Sequence, residues 1–331
     1  MNKITLRILL TLFVNFFSLS VFSQESVTRE IRDIDFMSKN PQQLEELIDK
    51  KWRPIAVKAK LFVPMSPVLP KAPAMVVLHG SAGISEGREN EYGTKFNRLG
   101  IYALVVDTYG TRGANRFSYN RLIVEVSAFT QTADGVGALH YLEKLSEIDS
   151  TKIGVIGFSL GGMSSYMLGM ENMMERLTDN PLRFSANIDL YGPCFSTFRT
   201  VKPTAAPFLY IGGEKDEALN LEDCRKEFNR LEKKDNHSKF VTIPNAYHGW
   251  ERSIPLAFTN VTNLKNCTSI VEDDGKTLFL KTGKLVRGNK DKFSEFFKCA
   301  SNGYTNGKDS AAEKISDKEI MDFIRGVFKL N

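Results

Sequence analysis

The sequence is poor in the residues that would commit it to metal, nucleic-acid or membrane chemistry. Only four cysteines and four histidines occur among 331 residues. No C-x-x-C pair is present, and the histidines do not cluster with the cysteines, so no metal site is expected. No run of five like charges exists and the formal net charge is only +5. The basic stripe that nucleic-acid binding requires is therefore missing. After the first 23 residues, no apolar run approaches the roughly 20 residues that cross a bilayer. Internal repeats and low-complexity linkers are absent too. What is left, 42% hydrophobic and 25% charged, is the composition of a globular chain able to bury a substantial core.

The first 23 residues are a different material. Lys3 and Arg7 make a positive start, Ile8 to Phe17 is mostly apolar, and Val21-Phe22-Ser23 ends in a small residue. This three-part pattern is that of a secretory signal peptide. The apolar stretch is short for a membrane anchor and Asn15 interrupts it. Export to the periplasm or outside the cell is expected, with no stable membrane insertion after cleavage. All four cysteines (Cys194, Cys224, Cys267 and Cys299) lie in the exported part, where an even number suggests disulfides. Three sequons, at Asn236, Asn260 and Asn266, carry no further reading.

Residues 24–51 are polar and read as helical or loosely packed. From Ile55 onward, strand-length apolar runs alternate with longer amphipathic stretches. The strand candidates are Ala56–Val63, Met75–His79, Ala103–Asp107, Ile153–Phe158, Ala186–Tyr191, Phe208–Gly212 and Phe240–Ile243. Several are continuously apolar, as strands buried on both faces are. Helices are expected over Asn90–Leu99, Tyr119–Leu145, Gly162–Leu177, Asn220–Leu231 and Ile315–Phe328. The alternation predicts an α/β fold with a mostly parallel sheet and helices on both faces. Residues 52–331 read as one domain, interrupted at about 255–312 by a polar insertion too thin in apolar residues to fold alone.

Gly157-Phe158-Ser159-Leu160-Gly161 matches G-x-S-x-G directly after a strand and before a helix, the context of a nucleophile elbow. An acid and then a histidine should follow. Asp216 sits in the loop after Phe208–Gly212, with Glu214 and Glu217 as rivals, and a turn or helix cap as its ordinary role. His248 sits in the loop after Phe240–Ile243. Serine is a weak nucleophile until a base takes its proton, which imidazole does near neutral pH once a carboxylate fixes its tautomer. The oxyanion donors would be the N–H of Leu160 and that of Gly80 or Ser81, in the loop after Met75–Leu78. His79 reads as a loop-stiffening residue, His140 as mid-helix and His237 as solvated.

At these residues the chain resembles the dienelactone hydrolase family of α/β-hydrolases. The matching segments are Leu78-His79-Gly80-Ser81-Ala82-Gly83, Val106-Asp107-Thr108-Tyr109-Gly110-Thr111-Arg112-Gly113, Gly157–Gly162, Gly213-Glu214-Lys215-Asp216 and His248. Similarity runs from about Ala56 to Arg252, plus the last helix. The best-known members use cysteine where this chain has Ser159, which favours general ester chemistry over dienelactone itself. The resemblance implies that Arg112 and Arg252, with Tyr109, hold a carboxylate on the substrate. Guanidinium suits that task with two parallel hydrogen bonds. The alternative is that Arg112 ties its loop to a nearby carboxylate and Arg252 is solvated. The resemblance also favours a Cys194–Cys224 bridge, leaving Cys267–Cys299 to staple the insertion, out of the three pairings four cysteines allow.

The expected activity is hydrolysis of small carboxylic esters or lactones through an acyl-enzyme, with no cofactor. Rival readings within the fold are a peptidase, a lipase or a polyester hydrolase. For a lipase lid, Asn263–Asn289 is too polar to cover a lipid site well. From another class comes a binding protein that kept the fold, against which an intact Ser, His and Asp set argues. One outcome is checked without any structure. Exported protein should begin at Gln24, having lost Lys3 and Arg7, and amino-terminal sequencing that returns Met1 would contradict the signal peptide.

Overall fold

A computed structural model describes residues 30–64, 70–85, 87–113, 126–232 and 237–330. The signal segment and the sequon at Asn236 lie outside these residues. In chain order the strands are β1 (Ile31–Lys39), β2 (Pro54–Phe62), β3 (Ala72–Leu78), β4 (Tyr102–Val106), β5 (Ile148–Phe158), β6 (Ala186–Leu190), β7 (Ser196–Phe198), β8 (Phe208–Gly213) and β9 (Lys239–Ile243). Eight of them form one sheet in the order β1-β2-β4-β3-β5-β6-β8-β9. β2 is antiparallel to both its neighbours, and every pair from β4 to β9 in that order is parallel. This is an α/β-hydrolase sheet. β3, β4 and β6 are buried along their whole length; β3 and β4 are accordingly apolar throughout, whereas β6 also buries Asn187 and Asp189.

β1 is a correction to the reading of residues 24–51 as helical or loosely packed. It pairs antiparallel with β2 over Ile31 to Lys39, and only Phe36 and Ser38 are fully buried. An edge strand needs few apolar residues, and charges along it (Arg32, Asp33, Asp35) discourage pairing with another chain.

Two helix boundaries also differ from expectation for local reasons. The long helix expected from Tyr119 runs over Ala128–Glu143 among the described residues. Ser127 caps it, its hydroxyl accepting from Thr130 N–H while Thr130 Oγ1 accepts from Ser127 N–H. The stretch Gly162–Leu177 is two helices, Leu160–Leu168 and Glu171–Leu177. Between them Gly169 ends the first and Met170 takes an extended conformation that bridges to Pro203.

The segment 255–312 is not loop alone. It carries β10 (Ala257–Asn263), β11 (Ser269–Val271), β12 (Thr277–Phe279), β13 (Lys284–Val286), the helix Asn289–Phe297 and β14 (Ser301–Asn306). β11 pairs in parallel with β7, which pins the segment to the main body. Leu264, Cys267 and Cys299 form a small separate core against Phe195 and Phe296. Cys194 is bonded to Cys224 and Cys267 to Cys299. No described helix is long and apolar enough to cross a membrane.

Because the satellite core is so small, the Cys267–Cys299 bond should matter to stability. Replacing both by serine is expected to lower the unfolding free energy by about 2–4 kcal/mol in urea titrations without reductant. Peptide mapping under the same conditions should return the 194–224 and 267–299 pairs.

Candidate active site

The parallel strands β3, β5, β8 and β9 all present their carboxyl ends at one edge of the sheet, and the loops after them meet there. Ser159 follows β5 with φ 55° and ψ −109°, a strained conformation for a residue bearing a side chain. The glycines two places away on either side make the turn possible. A Cβ on Gly157 would lie 1.8 Å from the carbonyl oxygen of Gly161, and one on Gly161 would lie 2.3 Å from that of Leu78. Ser159 N–H donates to Leu190 O at 2.9 Å, anchoring the turn to β6. Leu160 opens the following helix, so its N–H has no intrahelical acceptor and is free to point at a ligand.

His248, after β9, places Nε2 3.0 Å from Ser159 Oγ and Nδ1 2.7 Å from Asp216 Oδ2. All three residues are buried. Asp216 combines both roles open to it: Oδ1 accepts from Ala218 N–H at 2.8 Å, which leaves Oδ2 to face the imidazole. The rival carboxylates are engaged elsewhere, Glu214 with Asn245 N–H and Glu217 with Thr305 N–H. An ionised carboxylate only accepts, so Nδ1 carries the hydrogen and Nε2 is left to accept from Ser159.

The loop Leu78–Gly83 faces Ser159 from β3. Ser81 lines the cavity at the serine, together with Leu160. Gln131 Nε2 donates to His79 O at 3.0 Å, and Ser164 Oγ donates to Gln131 Oε1 at 3.1 Å, so two helices hold this loop. His79 is buried with Nδ1 2.8 Å from Gly80 O and its ring edge-on to Tyr109. Burial pushes its imidazole pKa down, so it stays neutral.

Taken together, the sheet order, the elbow and the loop order match a known pattern. The dienelactone hydrolase family model matches residues 57–258, more than half of the chain. The chain belongs to the dienelactone hydrolase family. Membership makes it a carboxylic ester hydrolase with the α/β-hydrolase fold. Among solved structures it is similar to a putative dienelactone hydrolase from Klebsiella pneumoniae, at 16% identity and TM-score 0.49, covering 67% of this chain and 88% of that one. A thermophilic esterase from Thermogutta terrifontis in its native form is similar at 16% identity and TM-score 0.46, over 59% of this chain and 79% of that one. The same esterase phosphorylated by paraoxon matches at 18% identity and TM-score 0.46, over 59% and 80%. No curated protein shows significant similarity.

Of the residues that the resemblance implies hold a carboxylate, Tyr109 packs against Leu160 beside Ser159, while Arg112 and Arg252 are engaged with other residues. None of them lines the cavity there. The Arg112 guanidinium is buried and grips Asp134 with two bonds of 2.8 and 2.9 Å, with further bonds to Asn40 and to Thr108 O. Its fork is filled by a carboxylate of the protein itself, as in the alternative reading in which Arg112 ties its loop to a nearby carboxylate. Arg252 donates to Asn306 Oδ1 at 2.6 Å, in β14 of the insertion, and is half-buried rather than solvated. Tyr109 packs on His79.

Other residues at the site were not singled out from sequence. The His248 ring lies edge-on between Tyr191 (4.7 Å) and Tyr304 (5.1 Å), the latter from the insertion. Tyr191 has φ 45° and donates from its hydroxyl to Glu251 at 2.7 Å. Burial pushes the Glu251 carboxyl pKa up to about 7. A tyrosine just after β6, another within β14 and an internal glutamate have no motif, and only the nearness of Tyr191 to β6 and of Glu251 to His248 in sequence could have drawn attention.

Asp189, on β6 beneath the elbow, is another buried acid. Its hydrogen-bond donor is Gly192 N–H at 2.7 Å, and burial raises its pKa to about 8. Between about pH 4, where an unfolded aspartate titrates, and about pH 8, the native state holds a proton that the unfolded chain has lost. This contribution to stability is complete below the unfolded value and is lost as pH rises through that window. Melting temperatures measured from pH 5 to 9 should fall less steeply in Asp189→Asn than in wild type. Identical slopes would mean that Asp189 is ionised in the native protein.

Proposed function

We propose that the protein is an exported serine esterase that cleaves carboxylic esters or lactones through an acyl-enzyme on Ser159. The observation that carries this reading is the unbroken hydrogen-bonded line from Asp216 through His248 to Ser159, opening into a cavity whose wall is largely apolar. As Ser159 Oγ attacks the ester carbonyl carbon, its proton passes to His248 Nε2. The carbonyl π electrons move onto oxygen, which lies against the N–H groups of Leu160 and of Gly80 or Ser81. Asp216 steadies the imidazolium without taking its proton. Collapse of the tetrahedral species expels the alkoxide, which takes the proton from His248 and leaves as the alcohol. Water then repeats the sequence on the acyl-serine, releasing the acid and restoring the serine.

Export is supported by the amino-terminal pattern and by two disulfides, which persist in oxidising compartments. Ser159→Ala and His248→Ala should each lower kcat on p-nitrophenyl acetate by about 10⁴-fold or more, and Asp216→Ala by a smaller factor. A fluorophosphonate probe should label wild type alone. Labelling that persists in Ser159→Ala would place the nucleophile elsewhere.

A further inference from the structure

The cavity at Ser159 has a volume of about 180 Å³. Its wall comes from three parts of the chain. The main body supplies Phe129, Met163 and Pro193, the insertion supplies Leu264, Val271 and Phe296, and residues 42 and 43 close one side. Among the described residues of its wall the charged side chain is Lys292, and that charge is already met. Lys292 Nζ lies 2.9 Å from both carboxylate oxygens of Glu45, and donates to Gly275 O. Behind Phe129, Met163 and Val271 lies a second cavity of about 60 Å³, which reaches Tyr166 and Phe198. Those three residues face both spaces, and with Ala128, Pro193 and Ser196 they form the partition.

Resting on the esterase reading above, we infer that the substrate is a neutral ester whose acyl part is a compact apolar group, an aromatic ring or a chain of about six carbons, seated in this cavity. Volume sets the size: an apolar cavity of roughly 150 Å³ accommodates benzene. Charge sets the class. The described wall offers an acyl carboxylate no unpaired cation, because its lysine, Lys292, is held by Glu45 and neither Arg112 nor Arg252 lines it. Burying an unpaired carboxylate there is strongly unfavourable. The partition sets the upper length, and the insertion makes the pocket by roofing it.

Five p-nitrophenyl esters test this on the full mature protein: acetate, hexanoate, benzoate, dodecanoate and the hemiglutarate, which carries a free carboxylate. Each methylene buried is worth about fourfold in kcat/KM. Hexanoate or benzoate should therefore exceed acetate by at least about tenfold, with dodecanoate and hemiglutarate both below the optimum. Met163→Ala, which opens the partition, should move the preference toward chains longer than six carbons. Glu45→Gln, which leaves Lys292 uncompensated, should raise the hemiglutarate-to-hexanoate ratio by about tenfold. A flat preference among the esters, or a maximum on acetate or hemiglutarate, overturns the inference and leaves the esterase reading intact. Wild-type protein that turns over none of the five removes both.

Discussion

Three backbone segments meet beneath Ser159 at distances that only glycine allows, and much of the molecule is arranged around that contact. The elbow holds Ser159 in a conformation that costs about 1–3 kcal/mol. It persists because β5 is fixed on both sides, by β3 and by β6, and because Ser159 N–H is taken up by Leu190 O. The same parallel pairing carries the partners. β8 and β9 are adjacent, so the loops leaving them are adjacent too, and Asp216 meets His248 as a consequence of strand order. No long-range motif is needed to join residues 32 positions apart. The sheet does it.

The roof of the site is held differently. Segment 255–312 has too little apolar surface to make a core of its own, and its satellite cluster holds three buried residues. Its attachment comes from the β7–β11 pairing and the Lys292–Glu45 pair, which joins the helix Asn289–Phe297 to the helix Leu44–Ile48, while the Cys267–Cys299 bond closes the segment on itself. A buried ion pair is weak evidence for stability, since desolvation offsets much of its attraction. Here it also fixes where the two segments sit around the cavity. Polarity in sequence was a poor guide to this role. The exposed residues of Asn263–Asn289 dominate its composition, yet Leu264 and Val271 turn inward to the site.

What could be read from sequence follows the same division. Strands buried on both faces announce themselves as apolar runs, and the loops that follow them carry Ser159, Asp216 and His248 in a fixed order. Residues governed by tertiary neighbours gave no such signal. Tyr191 and Tyr304 flank the histidine from segments far apart in the chain. Edge strand β1 buries only Phe36 and Ser38, so its composition is that of a loop.

The direction that Arg112 takes has the same physical origin as the strand at β1. Spacing from a strand end places a guanidinium on the correct loop, but its direction depends on which carboxylate is nearest, and that is a tertiary fact. Asp134, on the helix Ala128–Glu143, receives Arg112 and also accepts from Ser38 Oγ of β1 at 2.7 Å. Arg112 in turn donates to Asn40, just after β1. One buried carboxylate therefore ties the edge strand, the loop after β4 and this helix together. While residues 31–39 are read as loosely packed, Asp134 looks like an ordinary helix residue and Arg112 looks free to serve a substrate. Once β1 is a strand, its end brings Ser38 and Asn40 to that carboxylate, and the arginine belongs to the scaffold.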